Sequence, residues 1–227
     1  MRRADRRWWN IKVFKDPWSA WTHFIGAWAA AFAAVYIVWA ARDTGDGLWA
    51  MSVYALSLVL LFAASSVYHF FDIGVVGNRW LRRVDHAAIF AVIAGTYVPA
   101  CVWFLDGSLR TSMLWGIGTF AVVGTLFKML WIDCPPWLGA SIYIAMGAMA
   151  VIPGDAMFGG MDTVPIAWLA AGCAAYLVGA FVFVKEWPDP LPEVFGFHEV
   201  WHLFVLAGAA AHYGFMLTLL DGAPTPF

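Results

Sequence analysis

Residues 197–220 read FHEVWHLFVLAGAAAHYGFMLTLL, and the first six decide what kind of molecule this is. Two histidines four apart, His198 and His202, lie one above the other on a helix face, about one 5.4 Å turn apart. Imidazoles so placed reach one zinc ion, and His198-Glu199-Val200-Trp201-His202 is ordinarily read as a soluble metalloprotease with the glutamate as base. Here the residues that follow, Leu203 to Leu220, are apolar except for His212, Tyr213 and Thr218. A run of that length spans a bilayer. The histidine pair therefore opens a transmembrane helix, and any metal it holds lies inside a membrane.

The rest of the chain agrees. Of 227 residues, 63% are hydrophobic and 12% charged, and mean hydropathy is +0.73. That balance excludes an ordinary globular domain and a nucleic-acid partner, and describes a polytopic membrane protein. The 15 tryptophans suit bilayer interfaces. Spans of suitable length fall at about 18–41, 48–71, 84–105, 111–131, 137–153, 164–184 and 197–220. Breakers separate them, such as Asp43-Thr44-Gly45-Asp46-Gly47, Cys134-Pro135-Pro136 and Pro188-Asp189-Pro190-Leu191-Pro192. The expected fold is all-α with seven transmembrane helices, organised as a basic amino-terminal stub (1–17), a single membrane domain (18–220) and a short tail (221–227). The basic start runs into Trp8, Trp9 and Asp16 and so does not read as a cleavable signal peptide.

Charge sets the direction. With the amino terminus cytoplasmic, the inside segments hold Arg2, Arg3, Arg6, Arg7, Lys12, Lys15, Arg79, Arg82, Arg83, Lys128 and Lys185; the outside segments hold Arg42 and Arg110. The positive-inside rule then places the amino terminus in the cytoplasm and the carboxyl terminus outside.

Orientation sorts the ionisable residues by depth. His69 closes the second span, Asp85 and His86 open the third, and His198 and His202 open the seventh, all at the cytoplasmic side. Intramembrane ionisable residues are costly and mark function by default. His69, His198 and His202 supply three imidazoles, which leaves zinc the open position that hydrolysis needs. Ser65 shares a helix face with His69 and can hydrogen-bond a ligand or water, while Asp85 can orient or deprotonate that water. Glu199 is the rival base but points about 100° away from His198 on an ideal helix.

Other residues carry plainer readings. His86 is expected at a helix end or in packing, His212 as an interhelical histidine, and His23 as structural. Arg82 and Arg83 are topology determinants, and Gly172 and Gly179 permit close helix packing. Cys101, Cys134 and Cys173 form no CxxC and are expected neither to bind metal nor to pair.

The chain also resembles a known family along residues 16–220. The resemblance rests on Trp21-Thr22-His23-Phe24-Ile25-Gly26, Ser65-Ser66-Val67-Tyr68-His69, and Asp85-His86-Ala87-Ala88-Ile89-Phe90 followed by Ala94-Gly95-Thr96-Tyr97-Val98-Pro99. Leu126-Phe127-Lys128, Tyr143 to Gly147, and His198 through Gly208 with His212 beyond complete it. These residues resemble the hemolysin III family, bacterial relatives of the progestin and adipoQ receptors within a superfamily that includes the alkaline ceramidases. The resemblance implies a multi-pass protein of the bacterial inner membrane. It implies zinc (Zn2+) on His69, His198 and His202, with Ser65 and Asp85 supporting the water.

The function expected is zinc-dependent hydrolysis of a ceramide-like lipid amide that enters from the bilayer. A receptor, or a cytolytic or channel-type protein with a structural zinc, is the alternative. An intramembrane protease of the site-2 type needs an aspartate ligand from an LDG-like motif, present here as Leu105-Asp106-Gly107 and Leu220-Asp221-Gly222. Asp221 lies roughly 28 Å along the helix from His202, too far to share its metal.

Overall fold

In a computed structural model the described residues are 12–13 (backbone only), 15–192 and 194–221. The arginines of the amino-terminal stub and the tail 222–227, including Gly222 of the second LDG-like motif, lie outside them. A two-residue strand β1 (Lys12–Val13) leads into α1 (Pro17–Ala40), α2 (Asp46–Phe70), strand β2 (Phe71–Asp72) and α3 (Gly74–Phe104). Then come α4 (Gly107–Leu130), α5 (Pro136–Ala148) with a 3-10 turn at Met149–Val151, short α6 (Asp155–Phe158), α7 (Thr163–Lys185) and α8 (Phe197–Asp221). Six of these helices are long and apolar enough to cross a membrane, and Pro136–Val151 is a shorter apolar helix. The chain is a seven-helix membrane protein.

Its outer surface is the reverse of a soluble protein's. Leu130 is 83% exposed and Phe32 71%, which is stable only against lipid. The core lies between helices: Tyr54, Phe90, Phe215, Met51 and Ile117 are almost wholly buried. Helix α1 packs on α2, α2 on α3, α7 on α8, and α8 closes back onto α1. Contact this close needs small residues. A Cβ built on Gly179 would sit 2.7 Å from Phe204 Cβ and Trp201 Cε3, so any larger side chain would push α7 off α8. The second glycine singled out, Gly172, receives the His212 ring.

Helix α3 begins about ten residues before the expected start of its span. Residues 74–83 form a polar helical extension that hydropathy does not count. Arg79 and Arg82 on it bind Asp133, between α4 and α5, at 2.6 and 3.0 Å, so Arg82 also ties helices together. The fifth span ends as a 3-10 turn where Tyr97 repairs the backbone. Its hydroxyl donates its one hydrogen to the Gly147 carbonyl, with the Met146 carbonyl 3.2 Å away, and accepts from Ala150 N–H at 2.7 Å. Sequence periodicity does not show the pairing of β1 with β2, which sets Lys12 opposite Asp72 and Val13 opposite Phe71.

Candidate metal centre

Helices α1, α2, α3 and α8 bring their chemistry to the same end of the bundle. His69 lies in the last turn of α2, and His198 and His202 lie in the first two turns of α8. One nitrogen from each falls within 4.8 Å of the others. His69 Nε2 and His198 Nε2 are 3.4 Å apart. His69 and His202 are 3% and 2% exposed, and His202 Nδ1 has no hydrogen-bond partner among the described residues. The three imidazoles form a buried group that can hold a metal ion.

A fourth ring belongs to this cluster. His23 of α1, expected as a structural histidine, stacks on His202 with centroids 3.7 Å apart and planes 12° from parallel. Among the described residues, neither of its buried nitrogens has a hydrogen-bond partner. The stack holds the His202 ring plane, a supporting role that residue spacing in a different helix could not reveal.

Asp85 on α3 faces the Ser65 hydroxyl of α2 and is close enough to feel charge on His69. Ser65 is itself buried. The carboxyl is not one of the groups within 4.8 Å of all three imidazole nitrogens; it stands beside the triad. His86 points elsewhere, with its Nδ1 3.2 Å from the Tyr143 hydroxyl, which in turn donates to the His86 carbonyl. His212, deeper in α8, has its Nδ1 3.0 Å from the Gly208 carbonyl one turn back.

Glu199 is fully engaged in structure. Its Oε2 accepts from Gly196 N–H at 2.8 Å and its Oε1 accepts from the Ser19 hydroxyl at 2.6 Å. The first bond is the backward half of a capping box at the start of α8, and the second ties α8 to α1. Both oxygens thus take part in holding the start of α8 in place. Glu199→Ala is expected to cost about 1–3 kcal/mol of stability and to leave the bound metal in place. Thermal unfolding and metal content of the same preparation check this.

Sequence reasoning passed over Asp16. Its Oδ2 lies 2.8 Å from His69 Nδ1, and since a carboxylate only accepts, the imidazole donates. Burial acts to raise the Asp16 pKa, but the His69 hydrogen bond and nearby positive charge, Lys15 included, outweigh it and hold the carboxyl below its usual range. Aspartate just before Pro17 has the local pattern of a helix cap, and nothing in that pattern points to a histidine on another helix. Asp16, Lys15, Asp189, His198 and Glu199 line a cavity of about 300 Å³ beside the triad.

Hemolysin-3 of Bacillus cereus is 32% identical over 194 residues, covering 85% of each chain. The Hemolysin-3 homolog of Bacillus subtilis (strain 168) is 27% identical over 197 residues, 86% of this chain and 89% of that one. The adiponectin receptor protein of Drosophila melanogaster is 21% identical over 226 residues, 89% of this chain and half of the receptor. The profile of one family, described as Haemolysin-III related, matches residues 11–213. With that match over most of its length, the chain belongs to the Haemolysin-III related family of integral membrane proteins.

Proposed function

We propose that this protein is a zinc-dependent hydrolase of a ceramide-like lipid amide, working in the cytoplasmic leaflet of the bacterial plasma membrane. The observation that carries the reading is the gathering of three imidazoles, two buried and one half-buried, beside a carboxyl and a serine at one end of an otherwise apolar bundle. Imidazole donors suit zinc. Nitrogens on a tetrahedral zinc at about 2.0–2.1 Å from the metal stand roughly 3.3–3.4 Å apart, and the His69 to His198 separation is 3.4 Å. That pair is spaced as two zinc ligands would be, and a His202 nitrogen lies within 4.8 Å of both.

Zinc on these residues would supply Lewis acidity, polarising a carbonyl and making water nucleophilic near neutral pH. The chain's own groups do the rest. Asp85 takes the proton from the attacking water and returns it to the departing amine as the C–N bond breaks. Ser65 holds the Asp85 carboxyl, and His23 holds the His202 ring. Lipid reaches the site between helices from the bilayer, while the polar cavity at Asp16 and Asp189 connects it to water.

The test is product formation. Purified protein in lipid nanodiscs should contain about one zinc per chain and release fatty acid from a panel of amide-linked lipids. It should stop on chelation and resume when zinc is restored. The receptor reading has its own support, since the triad joins α2 to α8 and a metal there would pin the bundle whether or not it reacts. Retained zinc with no turnover of any amide lipid decides for that alternative.

A further inference from the structure

We infer that Asp16, supplied by the segment preceding the first transmembrane helix, is the outer carboxylate of the metal centre. It orients His69 so that its Nε2 faces the ion. This rests on the proposed metal site and goes beyond it by assigning a role to a residue outside the membrane spans.

Three independent features point to it. The hydrogen bond from His69 Nδ1 to Asp16 Oδ2 is short, at 2.8 Å. It settles the tautomer: with its only proton on Nδ1, a neutral His69 presents a bare lone pair at Nε2, the atom that faces His198 Nε2. Histidines that bind metals generally give their second N–H to such a carboxylate, and losing that partner typically weakens metal affinity 10- to 100-fold.

Second, Asp16 gives up its local role to make this contact. It occupies the position that caps α1, where aspartate is favoured because its oxygen can accept an N–H of the first turn. Here the side chain makes no capping hydrogen bond.

Third, the backbone aims the residue. Asp16 N–H donates to the His69 carbonyl at 3.0 Å, and Lys15 N–H donates to the Phe70 carbonyl at 3.3 Å. The β1–β2 pairing continues the antiparallel contact to Lys12 and Asp72, with the register offset by one residue. Segment 12–16 is thus fastened by main-chain bonds along the end of the helix that carries His69. Changing only the Asp16 side chain leaves those bonds in place, so the substitution isolates the carboxylate.

Wild type, Asp16→Asn and Asp16→Ala in detergent should be titrated with zinc against a chromophoric chelator, alongside thermal unfolding of the zinc-free forms. The expected result is zinc affinity roughly 10- to 100-fold weaker in Asp16→Ala and intermediate in Asp16→Asn. Zinc-free melting temperatures should be close to wild type, and the ligand-field bands of the cobalt-substituted protein should shift. Wild-type zinc affinity in both variants would overturn the inference and leave the metal site standing. A drop in zinc-free stability that accounts for the whole affinity loss would also overturn it, making Asp16 a fastening residue only. A wild-type protein that binds no zinc would sink the metal reading itself, and this inference with it.

Discussion

Replacing His202 with alanine is expected to empty the metal centre while the seven-helix bundle stays folded. Among the described residues, His202 is one of three imidazoles whose nitrogens converge within 4.8 Å of one another; the neighbouring His23 ring stacks on His202 and is not one of that group. Zinc held by a complete protein site is worth on the order of 10–16 kcal/mol near neutral pH. One ligand of three therefore accounts for several kcal/mol, a loss of at least about 100-fold in affinity. The fold has other sources of stability. Buried apolar contacts run along α2, α3 and α8, and Tyr213 O–H donates to the Ala33 carbonyl at 3.0 Å to tie α8 to α1 far from the site.

Two measurements check the outcome. Metal analysis should fall from about one zinc per chain to background. The melting temperature should also stop responding to added zinc, because an ion that binds only the folded state at 1,000 times its Kd adds about 4 kcal/mol. His212→Ala is the matched comparison, since that ring bonds its own helix backbone and packs on Gly172; it should keep its zinc. A His202→Ala protein that binds zinc as wild type does would refute the assigned ligand set.

Asp85→Asn should separate chemistry from binding. The amide has nearly the same shape and can still meet the Ser65 hydroxyl, so packing between α2 and α3 changes little. Zinc stays, because Asp85 is not among the groups that converge with the three imidazoles. What the substitution removes is a group that can accept a proton from water and return it. General acid–base assistance of this kind contributes typically 10²- to 10⁴-fold, and kcat for lipid amide cleavage should fall by about that factor with zinc content unchanged. If Asp85→Asn turns substrate over at the wild-type rate, Asp85 is not the base. A fall in activity that merely tracks lost zinc would instead make it a determinant of metal binding.

Much of the architecture was legible because membranes impose a simple rule. Backbone polar groups in lipid must be satisfied within a helix, so apolar length alone locates α1, α2, α4, α7 and α8 to within a few residues. That rule fails where the solvent changes. The polar first third of α3 is as helical as the rest, yet hydropathy reads it as a connector. The two-residue strands are too short for any periodicity. Glu199 shows a different limit: its place between two histidines invites a catalytic reading, and only the positions of Gly196 and Ser19 show that both its oxygens are committed.

By itself the sequence determined the seven-helix membrane class, and it identified His69, His198 and His202 as residues too costly to bury without purpose. Both follow from transfer energies, which depend on residue type and position along the chain. Tertiary structure alone decided the company those residues keep. It stacks His23 on His202, turns Asp16 away from its helix to His69, and sets Asp85 beside the triad rather than within it. These are distances between groups on different segments, about 50 to 180 residues apart in the chain for His69 with Asp16 and His202 with His23. No local pattern encodes them, because they arise only when α1, α2, α3 and α8 pack together.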